Sequence, residues 1–304
     1  MSTSRPRRWL RRLLTVPLMI LVVVGLYYVV GAAVARHVDD DPAFGADVVV
    51  PQGGSHTVAV LAALLEREVD RHGWVANDPA VFPSSLLTDM AAFQESIRAS
   101  VEAVVKAFAI RTGTDPDLET ALGALAVPGD RWAFDVGGSW SLQETSETYY
   151  REAVTALRRF NARMARGEVA TLPDAALAAT LVRQAGERLA AAATVGLAHV
   201  DARGGHWLDL TTAERLYATK GEVYAYWVVL QAVAVDVPSL GATDGWDAFE
   251  IAGQRAATFG PSWVMNGAAE GWLRATPLAT QAAYLLDTRQ ALAPVIVALP
   301  APEA

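Results

Sequence analysis

The sequence predicts an all-α fold: a single amino-terminal transmembrane helix followed by a helical-bundle-like extracytoplasmic domain. Two observations carry most of this. Near the start, 23 residues from Leu13 to Ala35 run without a charge. Beyond them, apolar residues recur at helical spacing between recognisable caps and stops. Composition agrees, because alanine, leucine and valine dominate a chain of 304 residues and alternating β-branched runs are few.

The segment "LLTVPLMILVVVGLYYVVGAAVA" over 13–35 is a membrane-spanning helix by length, since 23 residues at ~1.5 Å each exceed a hydrocarbon core of about 30 Å. Pro17 falls in its first turns, where a missing backbone donor does least harm. Trp9 stands at one expected interface, and Tyr27 and Tyr28 approach the other. Residues 1–12 form a basic tail whose five arginines predict a cytoplasmic amino terminus and an outer bulk, periplasmic in a two-membrane cell. Ala33-Val34-Ala35 also fits a signal-peptidase site, but the apolar run is longer than a signal core. Gly31 and Ala35 have the small-xxx-small spacing of pairing helices.

Charge is unevenly placed. Arg5, Arg7, Arg8, Arg11, Arg12 and Arg36 precede the first acid, Asp39, so the rest holds 19 basic against 33 acidic residues. That body repels nucleic acid, and the expected partners are membrane lipid through 13–35 and an envelope protein. With no cysteine, disulfides, thiolate metal sites and thiol nucleophiles are excluded.

The acidic stretch "HVDDDPAFGADVVVPQGG" reads as a juxtamembrane linker over 36–54, and 55–304 as the helical domain. Ser55 precedes the face Val58, Leu61, Leu65, Val69 and is placed to cap it, with Gly73 as the stop. A second helix is expected from Ser84 or Ser85 to Thr112-Gly113. Asp115 caps a third with Pro116 in its first turn. A turn-rich bridge from Val127 to Trp140 follows. Ser146 is expected to cap a helix with the stripe Tyr150, Ala153, Leu157, Phe160, Met164, ending at Gly167. Asp174 caps an alanine-rich helix toward Asp201, and Thr211 with Glu214 has capping-box spacing. Shorter helices are expected over 245–258 and 276–292.

"GGSHTVAVLAALLEREVDRHGWVANDP" brings serine, histidine and acids together, yet adjacent Ser55 and His56 do not face each other on a helix, and the G-x-S-x-G elbow is absent. His56 and His72 lie about 24 Å apart along a helix, too far to share a metal. No H-E-x-x-H occurs, and His199 and His206 read as surface or turn histidines. Among the acids Glu66, Glu68, Asp70, Asp115, Asp117 and Glu119 no catalytic pair stands out, so no catalytic residue, metal or cofactor is assigned.

The binding candidates are Lys220, one of two lysines, with Tyr217 and Tyr224 on its helix face. The turn Trp74, Asn77, Asp78 is a second lobe. Structural ion pairing of Lys220 is the plainer expectation. Trp263, Asn266, Gly267 and Trp272 lie in a loop that could line a groove.

Several stretches, in order, resemble a bacterial family known as domain-of-unknown-function family 2333: "HVDDDPAF", "GGSHTVAVLAALLEREVDRHGWVANDPAVFP", "DPDLETALGALAVPGDRWAFD", "YYREAVTALRRFNARMARG", "LYATKGEVYAYWVVLQAV" and "WVMNGAAEGWLRATPLATQAAYLL". The resemblance implies a single-pass inner-membrane protein of Gram-negative bacteria with a helical periplasmic domain, and it brings no catalytic residues. The expected role is therefore protein interaction or envelope assembly. The alternative is an envelope enzyme or a small-ligand or lipid-binding protein.

Overall fold

The computed structural model describes residues 5–134, 141–169, 172–203, 210–260 and 277–300, with the side chains of 5–14 and of 210 left aside. Within them every regular element is helical, apart from an isolated bridge between Phe134 and Leu142. The loop holding Trp263, Asn266, Gly267 and Trp272 lies outside the described residues, as do His206, Thr276 and the end of the bridge to Trp140.

α1 (Arg5–Ala35) contains Thr15–Ala35, a stretch of 21 residues long and apolar enough to cross a membrane and not buried by the rest of the chain. α2 (His56–Glu66) continues through a π-helical turn, Arg67–Arg71, and stops at Gly73, whose φ of 77° suits a residue without Cβ. α3 (Thr88–Thr112) begins three or four residues later than Ser84 or Ser85 predicted. Neither serine caps it: the Ser84 hydroxyl donates to Asp78 and the Ser85 hydroxyl to the Phe82 carbonyl. A 3-10 turn, Pro83–Leu86, occupies that place.

α4 (Pro116–Leu125) is capped by Asp115, which accepts from the amides of Asp117 and Leu118. α5 (Ser146–Ala165) buries the stripe Tyr150, Ala153, Leu157, Phe160 and Met164. Here Ser146 is a correction: it is the first helical residue, after Thr145, and its hydroxyl donates to the Pro128 carbonyl and accepts the Arg131 amide. α6 (Ala175–Arg203) opens where Asp174 accepts the Leu177 amide. α7 (Leu210–Asp236) starts before Thr211, which therefore lies inside the first turn instead of capping it. The one-turn α8 (Pro238–Gly241), α9 (Trp246–Ala257) and α10 (Pro277–Ala298) complete the chain. α10 outruns its expected end at Leu292 because Val295 is still buried.

α7 is the spine. It packs along α3 and also touches α2, α6 and α9, while α4 lies on α5 and α6 on α10. Gly221 lets α3 and α7 close up, since a Cβ there would stand 2.3 Å from the Phe93 carbonyl oxygen. The join of α2 to α7 is polar. Asp236, the last residue of α7, accepts from the amides of His56 and Thr57 and the hydroxyls of Ser55 and Thr57 at 2.7–2.9 Å. Ser55 caps as expected, accepting the Val58 amide, and a carboxylate from a distant helix reinforces that end.

Candidate functional site

The segment read as a linker is packed on the domain. Residues 36–41 cross α7 and the turn after α2, and successive side chains find partners there. Arg36 binds Asp89 at 2.8 Å and the Tyr217 hydroxyl at 2.8 Å. The His37 ring lies parallel to that of His72, centroids 5.8 Å apart. Asp39 stands 3.6 Å from Arg67 and 3.5 Å from His72. Asp40 meets the Lys220 ammonium at 2.6 Å, and the Asp41 carbonyl accepts the Tyr224 hydroxyl at 2.9 Å.

Beneath this segment lies a buried polar cluster. Arg67 is 3% exposed and Glu68 fully buried; Nε of Arg67 donates to Glu68 at 2.9 Å and its Nη1 to the Tyr224 hydroxyl at 2.8 Å. The guanidinium also lies over the rings of Phe44 and Tyr224. Burial disfavours its charge, but Glu68, Tyr224 and Asp39 more than offset that and hold the arginine pKa above its ordinary value. Burial pushes the Tyr224 phenol up, so it acts here as a neutral donor. Gln94 closes the floor, donating to the Gly73 carbonyl at 2.8 Å and accepting the Val75 amide.

α7 brings Tyr217, Lys220 and Tyr224 onto one face as expected, and all three are buried. Each is engaged by residues 36–41 of the same chain. The second lobe is built differently. Trp74 donates to the Gly129 carbonyl at 2.7 Å and packs edge-on against Tyr150. Asn77 donates to the Arg131 carbonyl and to Glu147, pinning the start of the bridge that follows α4. Asp78 accepts the Ser84 hydroxyl; burial pushes its carboxyl above the usual carboxylate range despite that bond, and Glu147 adds to the rise.

Among the described residues, none of three cavities joins the two lobes. Trp74 and Asp78 border a cavity of about 380 Å³ together with His37, His72, Glu147 and Arg151. A larger groove of about 910 Å³ runs under 41–51 beside α2 and α5, and one of about 460 Å³ lies between 42–46, α7 and α9. Lys220, Tyr217 and Tyr224 border none of these.

Sequence reasoning missed Arg67, Glu68, His72 and Gln94 as one cluster, and Asp39 and Asp40 as its partners. The available signal was an acidic triplet in a chain with two lysines, one of them on an aromatic helix face. His199 is another correction: it is buried and bonds Thr212 at 3.0 Å, because the end of α6 lies against the start of α7. The acids are largely engaged in salt bridges, Glu66 with Arg158, Asp70 with Arg151, and Asp115 and Asp117 with Arg163. Among the described residues no group of three or more His, Asp or Glu could hold a metal.

No family model, curated protein or solved structure matches the chain.

Proposed function

We propose that this is a single-pass inner-membrane protein, amino terminus cytoplasmic, whose helical domain serves protein interaction or assembly in the envelope of a Gram-negative cell. Membership of domain-of-unknown-function family 2333 belongs to the same proposal and rests on the six quoted stretches. The observation that carries the role is the docking of 36–41. A tether meant only to give reach would be free, whereas this one ties the spanning helix to the domain through Asp40–Lys220, Asp39–Arg67 and Tyr224. The domain is thereby presented at one height and orientation, which suits a surface that must meet a fixed partner.

Cross-linking of tagged full-length protein in its membrane, with mass spectrometry of what co-purifies, tests this. A reproducible near-stoichiometric protein partner supports it; self-cross-links alone or nothing count against it.

A second reading, small-ligand binding, has its own observation. The cavity of about 460 Å³ is bordered by Trp227 and Gln231, whose Nε1 and Nε2 are buried donors with no partner among the described residues. A ligand offering acceptors and an apolar edge fits those walls. Thermal stabilisation by an envelope lipid or glycan fragment, lost in Gln231→Leu, would favour this reading over the first.

A further inference from the structure

We infer that the loop 79–87 is a second membrane contact, a wedge that enters the lipid beside the spanning helix. The inference rests on reading Thr15–Ala35 as a membrane span.

The loop is docked on the outer third of α1. Tyr27 donates to the Val81 carbonyl at 3.2 Å and Tyr28 to the Ala80 carbonyl at 2.6 Å. Pro83 fills the notch at Gly31, where any Cβ would come within 2.4 Å of its ring. Ala32 and Ala35 pack on the small cluster of Val75, Leu87 and Met90. The small-xxx-small spacing of Gly31 and Ala35 thus receives this loop.

Depth follows from that register. The span of 21 residues is about 31 Å long, close to the full hydrocarbon thickness. Tyr27 lies eight residues, or roughly 12 Å, before its outer end. Placed by length, residues 80–82 are among acyl chains; placed by the Tyr27–Tyr28 pair as an interfacial belt, they are at the headgroups. Either way they meet lipid.

The loop is built for that medium. Its outward side chains are Val81, Phe82 and Leu86, exposed by 63, 47 and 59%. Backbone in lipid is favoured where its polar groups are paired internally, and five of this loop's carbonyls are. The carbonyls of Pro79, Phe82 and Ser84 accept the amides of Phe82, Ser85 and Leu87, and those of Ala80 and Val81 accept the two tyrosines. The hydroxyls of Ser84 and Ser85 are turned inward to Asp78 and the Phe82 carbonyl. Three exposed apolar side chains on a loop with much of its backbone paired make a membrane contact, and their continuity with the apolar surface of α1 names lipid as the occupant.

Because the chain has no cysteine, one introduced thiol takes one label. Full-length protein carrying an environment-sensitive fluorophore at Phe82→Cys is placed in phosphatidylcholine–phosphatidylglycerol vesicles containing lipids nitroxide-labelled at a shallow acyl position. A blue shift and loss of most emission are expected. Ile110→Cys, 77% exposed and roughly 33 Å along α3 from Thr88, is expected to show neither. Val81→Cys repeats the reading where the substitution removes less surface. Val22→Cys, within α1, reports on the span itself. If it is unquenched, the membrane reading and the wedge both fall. If it is quenched while the labels at 81 and 82 behave like that at 110, the wedge alone is overturned. A blue-shifted but unquenched label at 82 means that protein covers the loop, and also overturns it.

Discussion

At Lys220 and Asp40 the energetics are asymmetric. The lysine is 4% exposed, whereas the aspartate side chain retains about a third of its exposure. Removing the acid strands a buried ammonium; removing the ammonium leaves a carboxylate that water can reach. Asp40→Ala is therefore expected to cost about 3 kcal/mol in urea unfolding, and Lys220→Met, which deletes the buried charge at similar volume, clearly less. Equal costs for the two would show that the pair does not hold the segment. Asp78 makes a pH-dependent contribution of the opposite kind. Burial raises its folded-state pKa, so the folded protein holds that proton longer than the unfolded chain does. Its contribution is favourable at low pH and is lost as pH rises from about 4 through the raised value. Asp78→Asn keeps an acceptor for Ser84 without this titration. The difference in urea midpoint between wild type and variant should shift in the variant's favour between pH 4 and 7, and a constant difference would refute the assignment.

Between elements, close approach decides stability. Gly221→Ala forces a Cβ into the Phe93 carbonyl and is expected to destabilise by about 1–3 kcal/mol as α3 and α7 separate. Gly123→Ala on the exposed face of α4, where a Cβ meets nothing within 4 Å, should stabilise by about 0.5–1 kcal/mol. Thermal denaturation of the pair reads both signs, and a neutral Gly221→Ala would mean that the helices are not so close. Such contrasts mark what the sequence makes legible. Asp115, Asp174, Ser55 and Gly73 act within a few residues of themselves, so caps, stops and the stripe on α5 could be read directly. Lys220, Tyr217 and Tyr224 were legible as one face for the same reason, since helical spacing is local. Asp236 on Ser55, Asp40 on Lys220 and Pro83 on Gly31 join residues 52 to 181 positions apart, and no local pattern announces them. Ser84 and Ser146 mislead for another reason: both are good caps by type, but an acceptor outside the helix, Asp78 or the Pro128 carbonyl, claims each hydroxyl.

Across the whole molecule, the docked segment makes one body of the apolar helix and the domain. Asp39→Ala with Asp40→Ala in the full chain is expected to release 36–47, so limited trypsin cleaves after Arg36 at a protease dose that leaves the wild type intact. Undiminished resistance would show that the remaining contacts suffice. That unity has a mechanical consequence. Spanning helices lean to match the bilayer that holds them, by about 20° on average. On the proposed reading of Thr15–Ala35 as a span, the contacts of 36–41 couple that helix to the domain, so the domain leans with it. A point about 37 Å from the pivot, the length of α3, swings roughly 6 Å for each 10°. A thicker or thinner membrane would then be converted into a sideways displacement of whatever the domain carries at its summit, like a mast that reports the roll of its hull.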